Sequence, residues 1–195
     1  MKIGMILFDG LTFLDFVGFY DAIIRLKNLQ VLKDLSWDLC ALTTQVRDSQ
    51  GLVIKVDKVK PDLAGYDMLF IPGGLGTREL KNNKNFVGWV QQGASVPYKV
   101  SVCTGSLILG AAGFLKDKKA TTHPRAYDEL KPYCREVLAN RLVKDGKVIT
   151  GGGVATSIDL GIFVAEELAG KQVGEAIKKG MDYPYENEDI QIIGS

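Results

Sequence analysis

The segment Tyr98-Lys99-Val100-Ser101-Val102-Cys103-Thr104-Gly105-Ser106 decides the fold, because it joins a predicted strand to a predicted helix through a sharp turn. Residues 98–102 predict a buried strand, and residues 106–112 predict a helix that ends at Gly113. A side chain two positions before or after the apex of such a turn would clash, and Ser101 and Gly105 are small enough to avoid this. The segment therefore predicts a nucleophile elbow with Cys103 at its apex, where hydrolases place serine.

An elbow gives a cysteine chemical possibilities that a buried cysteine lacks. The N-terminus of the following helix would lower the thiol pKa and offer unpaired N–H groups to an anion. The alternative is that Cys103 is a small buried apolar residue. We keep that alternative as the interpretation of Cys40, which lies in an apolar run, and of Cys134, which lies in a polar connection.

Outward from the elbow, short apolar runs alternate with longer segments of helical periodicity. Predicted strands cover residues 3–8, 37–43, 51–59, 67–71 and 98–102, and residues 142–149 predict a hairpin that turns at Asp145-Gly146. Predicted helices cover residues 14–29, 106–112, 158–169 and 173–181. This alternation predicts an α/β sandwich with a mostly parallel central sheet, formed by residues 1–195 as one domain.

Composition excludes several classes of protein. The 24 Lys+Arg and 23 Asp+Glu give a net charge of +1, which argues against a nucleic-acid partner, and no apolar run is long enough to span a membrane. Three cysteines without metal-ligand spacing and one histidine argue against a metal site. We expect free thiols in a reducing cytoplasm, no metal and no cofactor.

Ligands of a parallel sheet bind beyond the carboxyl ends of its strands, where four unusual loops are expected to meet. These loops comprise residues 9–15, 72–76, 103–105 and 151–153. Asp15 lies between large apolar residues, where a carboxyl tends to keep its proton, although a helix cap is the alternative. Gly74 and Leu75 belong to a glycine-rich turn that lacks the phosphate-loop and dinucleotide patterns, and an oxyanion hole facing Cys103 explains it better. His123 could pair with Cys103 or belong to the structure or substrate pocket.

The quoted motifs together resemble the ThiJ/PfpI superfamily, which is related to class I glutamine amidotransferases, over nearly the whole chain. The resemblance rests on residues 8–10, 14–18, 66–67, 71–74, 103–105, 120–123, 151–153 and 158–160. It implies a flavodoxin-like three-layer α/β/α sandwich and a homodimer. Asp15 and Thr104, where many members have Glu and His, resemble the isocyanide hydratase branch and the ligand-side domain of certain AraC-type regulators. Phe19 stands where many relatives have proline, so the shape of the substrate pocket is not transferable.

The resemblance implies that a small molecule is hydrated. Cys103 would attack the terminal carbon of an organic isocyanide and Asp15 would protonate it, while N–H groups of Gly74, Leu75 and Thr104 steady the charge. The product would be an N-substituted formamide. Alternatives are another thiol-dependent hydrolase or glyoxalase of the superfamily, an oxidative-stress protein that senses oxidant through Cys103, and a binding module.

Overall fold

The computed structural model describes residues 1–186 and 189–193. The strands, in chain order, are β1 (Lys2–Ile6), β2 (Ser36–Ala41), β3 (Gln45–Arg47), β4 (Val53–Lys55), β5 (Lys58–Val59), β6 (Met68–Ile71), β7 (Tyr98–Val102), β8 (Lys119–Ala120), β9 (Glu136–Val137), β10 (Leu142–Asp145), β11 (Val148–Gly151) and β12 (Ile190–Ile193). The α-helices are α1 (Phe13–Asn28), α2 (Thr77–Leu80), α3 (Lys84–Gln91), α4 (Gly105–Ala111), α5 (Tyr127–Leu130), α6 (Thr156–Ala169) and α7 (Lys171–Gly180).

The central sheet has eight strands in the order β12-β10-β11-β7-β6-β1-β2-β5. All neighbours pair in parallel except β10 and β11, which form an antiparallel hairpin. The hairpin predicted at Asp145-Gly146 is present, and Gly146 has the positive φ of 64° that such a turn favours. The sheet is therefore mostly parallel, as the alternating pattern predicts.

Helices cover both faces of this sheet. Helices α1, α6 and α7 pack together, and α2, α3 and α5 each pack against α4. The aromatic ring of Phe19 in α1 stacks on that of Phe70 in β6 with a centroid distance of 3.9 Å, which ties the first helical layer to the sheet. The molecule is thus the expected flavodoxin-like three-layer sandwich.

The strand predicted over residues 51–59 is wrong as a single element. Its first part, β4, pairs with β3 outside the central sheet, and its second part, β5, extends the central sheet beside β2. Asp57 lies between them, where its carboxyl Oδ2 accepts the Leu39 N–H at 2.9 Å and its own N–H donates to the Leu39 carbonyl. These bonds hold the chain to β2 and redirect it.

The four unusual loops meet at the carboxyl ends of the parallel strands. The Thr12 N–H donates to the Gly73 carbonyl at 2.8 Å, which joins the first loop to the second. The Cys103 N–H donates to the Gly151 carbonyl at 3.0 Å, which joins the third loop to the fourth. Within the described ranges, no helix is long and apolar enough to cross a membrane.

Candidate active site

The backbone at Cys103 has the geometry of an elbow. Cys103 has a φ of 53°, a left-handed conformation that is uncommon for a residue with a side chain. A Cβ at Gly105 would lie only 2.2 Å from the carbonyl oxygen of Ile71, so no larger residue fits there. The turn therefore requires glycine at position 105 for steric reasons.

Hydroxyl groups fix the carbonyl group of Cys103. Thr122 Oγ1 donates to this carbonyl at 2.9 Å, and Ser106 Oγ donates to it at 3.3 Å. Both side chains are fully buried, and together with the Gly151 contact they hold the strained turn on three sides. The sequence analysis assigned neither hydroxyl a role, and it predicted Ser106 only as the first residue of a helix.

Asp15 lies next to the elbow in the first turn of α1. Its carboxyl is fully buried, and Oδ2 accepts the Gly73 N–H at 2.8 Å. A Cβ at Gly73 would lie 2.7 Å from this oxygen and 2.8 Å from the Cβ of Cys103, so three loops converge at one point. The other oxygen, Oδ1, has no well-formed hydrogen bond to any described residue.

Burial raises the pKa of both the Asp15 carboxyl and the Cys103 thiol. Burial raises the pKa of Asp15 to about 7, against which hydrogen bonds with the Gly73 N–H and the thiol act. Burial, followed by the Asp15 charge, raises the pKa of Cys103 to about 12. The lowered thiol pKa expected from the helix N-terminus is therefore wrong, because desolvation and the neighbouring carboxylate outweigh the Thr104 N–H that favours the thiolate.

Thr104 connects the elbow to the glycine-rich turn. Its Oγ1 accepts the Gly74 N–H at 3.0 Å and donates to the Gly74 carbonyl at 3.1 Å. The Gly74 N–H predicted to face an anion is thus already bonded to this hydroxyl, whereas the Leu75 N–H has no acceptor within the described chain. The hydroxyl has one proton, which can serve either the Gly74 carbonyl or a charged sulfur.

His123 lies at the same cleft but makes no described hydrogen bond to the thiol. Its Nδ1 accepts the Arg125 N–H at 3.2 Å, so in the neutral ring the proton is on Nε2. Burial lowers the pKa of the imidazole, and the charges of Arg125 and Arg78 lower it further. His123 is therefore a neutral hydrogen-bond donor, and this favours the pocket interpretation over the Cys–His pair.

A cleft of about 200 Å³ opens above the sulfur. Cys103 is only 5% exposed, but it lines this cleft, so a small ligand can reach it. Asp15 is buried beside the thiol and does not line the cleft. The lining residues are Thr12, Gly74, Leu75, Arg78, Cys103, Thr104, His123, Arg125 and Val154.

The structure thus brings the predicted site residues to one place, and it adds two arginines that sequence reasoning missed. Arg78 lies in α2, just after the glycine-rich turn, and Arg125 follows His123 by two positions. Both are surface charges in short helical turns, and no local pattern distinguishes them from solvated side chains. None of the described residues forms a cluster of three or more His, Cys, Asp or Glu that could hold a metal ion.

The chain is similar in sequence to known proteins. The chain is 37% identical over 186 residues to "Isonitrile hydratase" of Pseudomonas putida, which covers 94% of this chain and 78% of that protein. It is 29% identical to "Glutathione-independent glyoxalase DJ-1" of Schizosaccharomyces pombe, over 61% of this chain and 63% of that protein.

Solved structures agree as well. The crystal structure of a ThiJ/PfpI family protein from Pseudomonas syringae superposes with a TM-score of 0.85 and 30% identity, over 96% of this chain and 76% of that chain. The sequence profile of the DJ-1/PfpI family matches residues 1–167. This chain therefore belongs to the DJ-1/PfpI family, as the resemblance in its motifs implies.

Proposed function

We propose that the protein is a cysteine-dependent hydratase, which adds water to an organic isocyanide and releases an N-substituted formamide. The observation that carries this proposal is the Asp15 carboxyl, which is buried beside the Cys103 thiol and whose Oδ1 has no well-formed hydrogen bond to any described residue. Hydration of an isocyanide needs a nucleophile and a proton at the same carbon, and this pair offers both. Identity of 37% to an isonitrile hydratase supports the proposal.

The pair holds one proton at pH values above neutral. Between the carboxyl pKa of about 7 and the thiol pKa of about 12, the two groups together bind a single proton. That proton can lie on the sulfur or on the carboxyl, and the second arrangement is a thiolate beside a carboxylic acid. This minor arrangement is the one that reacts.

In the first step, the thiolate of Cys103 forms a bond to the terminal carbon of the isocyanide. The carboxylic acid of Asp15 gives its proton to the same carbon, and the product is a thioimidate on the sulfur with Asp15 ionised. The negative charge of the pair, which was on the thiolate, is then on the Asp15 carboxylate. No proton needs to enter from solvent. The N–H of Thr104 faces the sulfur and steadies the thiolate before attack.

In the second step, a water molecule attacks the thioimidate carbon while Asp15 takes a proton from it. The substrate nitrogen receives that proton, which gives a tetrahedral intermediate with hydroxyl, amine and sulfur on one carbon. Its hydroxyl proton then goes to Asp15 as the carbon–sulfur bond breaks. The formamide leaves, and the thiolate and carboxylic acid are restored.

We propose that two further groups orient the substrate. The Leu75 N–H, at the edge of the cleft, donates to no residue that the structure describes, and Nε2 of His123 carries the proton of the neutral ring. Either can donate to the substrate nitrogen as its basicity rises. A general acid of this kind typically contributes about 10²–10⁴ in rate.

We also propose that the protein is a homodimer, and sedimentation equilibrium tests this.

The alternative functions require a different exposure and a different pKa of the Cys103 thiol. An oxidant sensor requires an exposed cysteine with a lowered pKa, and Cys103 is 5% exposed with a raised pKa. Glyoxalase chemistry is the second candidate, because the fission yeast relative carries that name. The shorter Asp15 side chain, in place of the glutamate that is common in the superfamily, favours the hydratase.

The test is the formation of a formamide from an aryl isocyanide, followed by ultraviolet absorbance, with methylglyoxal turnover measured in parallel. We expect the wild-type protein to hydrate the isocyanide and Cys103→Ala to lose nearly all of that rate. Cys134→Ala is the matched control, because Cys134 is a free thiol outside the cleft. Equal rates for wild type and Cys103→Ala, or turnover of methylglyoxal alone, would refute the hydratase.

A further inference from the structure

The cleft above Cys103 has a cationic wall that the hydration mechanism does not use. Its nine lining residues include two cations, Arg78 and Arg125, and none of them is acidic. Arg78 comes from α2 and Arg125 from the turn after β8, so two separate parts of the chain place a guanidinium at one cleft. The positive charge at this cleft therefore comes from two converging segments and not from one solvated side chain.

Neighbouring acids only partly neutralise this charge. Glu129 accepts from Arg78 Nε at 3.3 Å and from Lys81 Nζ at 2.8 Å, so one carboxylate serves two cations. Arg125 is exposed and has no ion pair with any residue that the structure describes. The wall therefore keeps a net positive charge, and Arg125 is available to a ligand.

The positive field reaches the interior of the cleft. Arg125, Arg78 and His123 line the same cleft, and after burial the charges of Arg125 and Arg78 lower the pKa of His123. The Asp15–Cys103 pair at the base of the cleft is negative when it holds one proton. An anionic ligand would be repelled by that pair unless the wall above offsets the charge, as this wall does.

We infer that the cleft selects isocyanides that carry a carboxylate, with Arg125 and Arg78 as the residues that bind it. This inference rests on the proposed hydration. The cleft of about 200 Å³ is smaller than the roughly 300–1,000 Å³ of sites for drug-sized ligands, so the substrate is compact. An α-isocyano carboxylate fits this description, and its hydration gives an N-formyl amino acid. Guanidinium groups match the planar geometry of a carboxylate.

The first experiment compares isocyanoacetate with its neutral methyl ester as substrates of the full-length protein. We expect wild type to prefer the anion in kcat/KM, and Arg125→Gln to lower the ratio of anion to ester about threefold to tenfold, as one partly screened charge predicts. Arg78→Gln should act in the same direction. Arg135→Gln, which removes an exposed arginine outside the cleft, is the matched control and should leave the ratio unchanged.

The second experiment needs no turnover. Iodoacetate and iodoacetamide alkylate thiols in the same way and differ in charge, so the ratio of their rates at Cys103 reports the field in the cleft. Peptide mass spectrometry gives this ratio, with Cys134 as an internal standard. We expect Arg125→Gln to lower the ratio at Cys103 and to leave the ratio at Cys134 as it was.

The outcomes separate this inference from the function on which it rests. Hydration of both substrates with an anion-to-ester ratio that Arg125→Gln does not change overturns the substrate class alone, and so does hydration of the ester only. An alkylation ratio that is the same in wild type and Arg125→Gln also overturns it. If wild type hydrates neither isocyanide, the hydratase itself is wrong and the substrate class is lost with it.

Discussion

Replacing Asp15 by asparagine should stabilise the protein most at alkaline pH. Burial raises the pKa of this carboxyl from 3.8 to about 7, so the folded chain binds a proton that the unfolded chain has already lost. Wherever the folded state binds more protons, the free energy of unfolding falls as pH rises. The penalty is therefore absent below pH 3.8, grows between 3.8 and 7, and is complete above 7. Asparagine has the same shape and no charge to bury.

The size of the effect follows from the same pKa. One pKa unit corresponds to about 1.4 kcal/mol, so burying the ionised carboxyl costs about 4 kcal/mol at pH 8 and about 1.5 kcal/mol at pH 5. The advantage of Asp15→Asn over wild type should thus grow by about 2.5 kcal/mol between these two values. For a chain of this length that corresponds to a further rise in Tm of about 5–10 °C.

Urea unfolding at pH 5, 6.5 and 8 measures this difference, with tryptophan fluorescence as the signal because Trp89 is buried. Protein concentration must be the same in all experiments, since association would add to stability. Asp34→Asn is the control, because Asp34 is exposed and its substitution removes one carboxylate without changing the site. If wild type and Asp15→Asn differ by the same amount at all three pH values, Asp15 ionises normally and the shared proton is wrong.

Three further predictions follow from the geometry. In wild type, kcat/KM for an isocyanide should fall about tenfold per pH unit below pH 7, because the pair then binds two protons and no thiolate forms; a pH–rate profile that is flat from pH 5 to 8 contradicts this. Asp15→Asn should lower the pKa of Cys103, since the neighbouring charge that raises it is gone, while hydration slows by about 10²–10⁴; absorbance of the thiolate and the rate assay measure the two effects. Gly105→Ala should cost about 1–3 kcal/mol or prevent folding, because its Cβ would lie 2.2 Å from the Ile71 carbonyl; urea unfolding that matches wild type would show that the elbow can widen.

The turn at Cys103 was predictable because its requirements are local. Ser101 and Gly105 satisfy steric demands that a few bonds impose, and the parallel sheet then brings the glycine-rich turn and the loop of Asp15 to the same edge. The raised thiol pKa was not predictable in this way. It depends on how completely distant parts of the chain bury the sulfur and on an Asp15 carboxylate that comes from another loop.

The same reasoning explains where the fold prediction failed. Alternation over residues 53–57 is real, since Ile54 and Val56 are buried while their neighbours are exposed, but it does not show that Asp57 bonds to β2 and splits the strand. Strand β12 was missed because it lies at the edge of the sheet, where two of its four residues are exposed and the other two only partly buried. Arginines at the cleft carry no periodic signal, so only the assembled loops reveal them.

The most direct test of the account is to find the isocyanide on the sulfur. Wild-type protein is mixed with an aryl isocyanide, quenched in acid within milliseconds to seconds, and digested for peptide mass spectrometry. We predict a transient increase by the full mass of the isocyanide on the peptide that contains Cys103, which decays as the formamide appears. Formamide production with no added mass on Cys103 at any time, and at the wild-type rate in Cys103→Ala, would contradict the account.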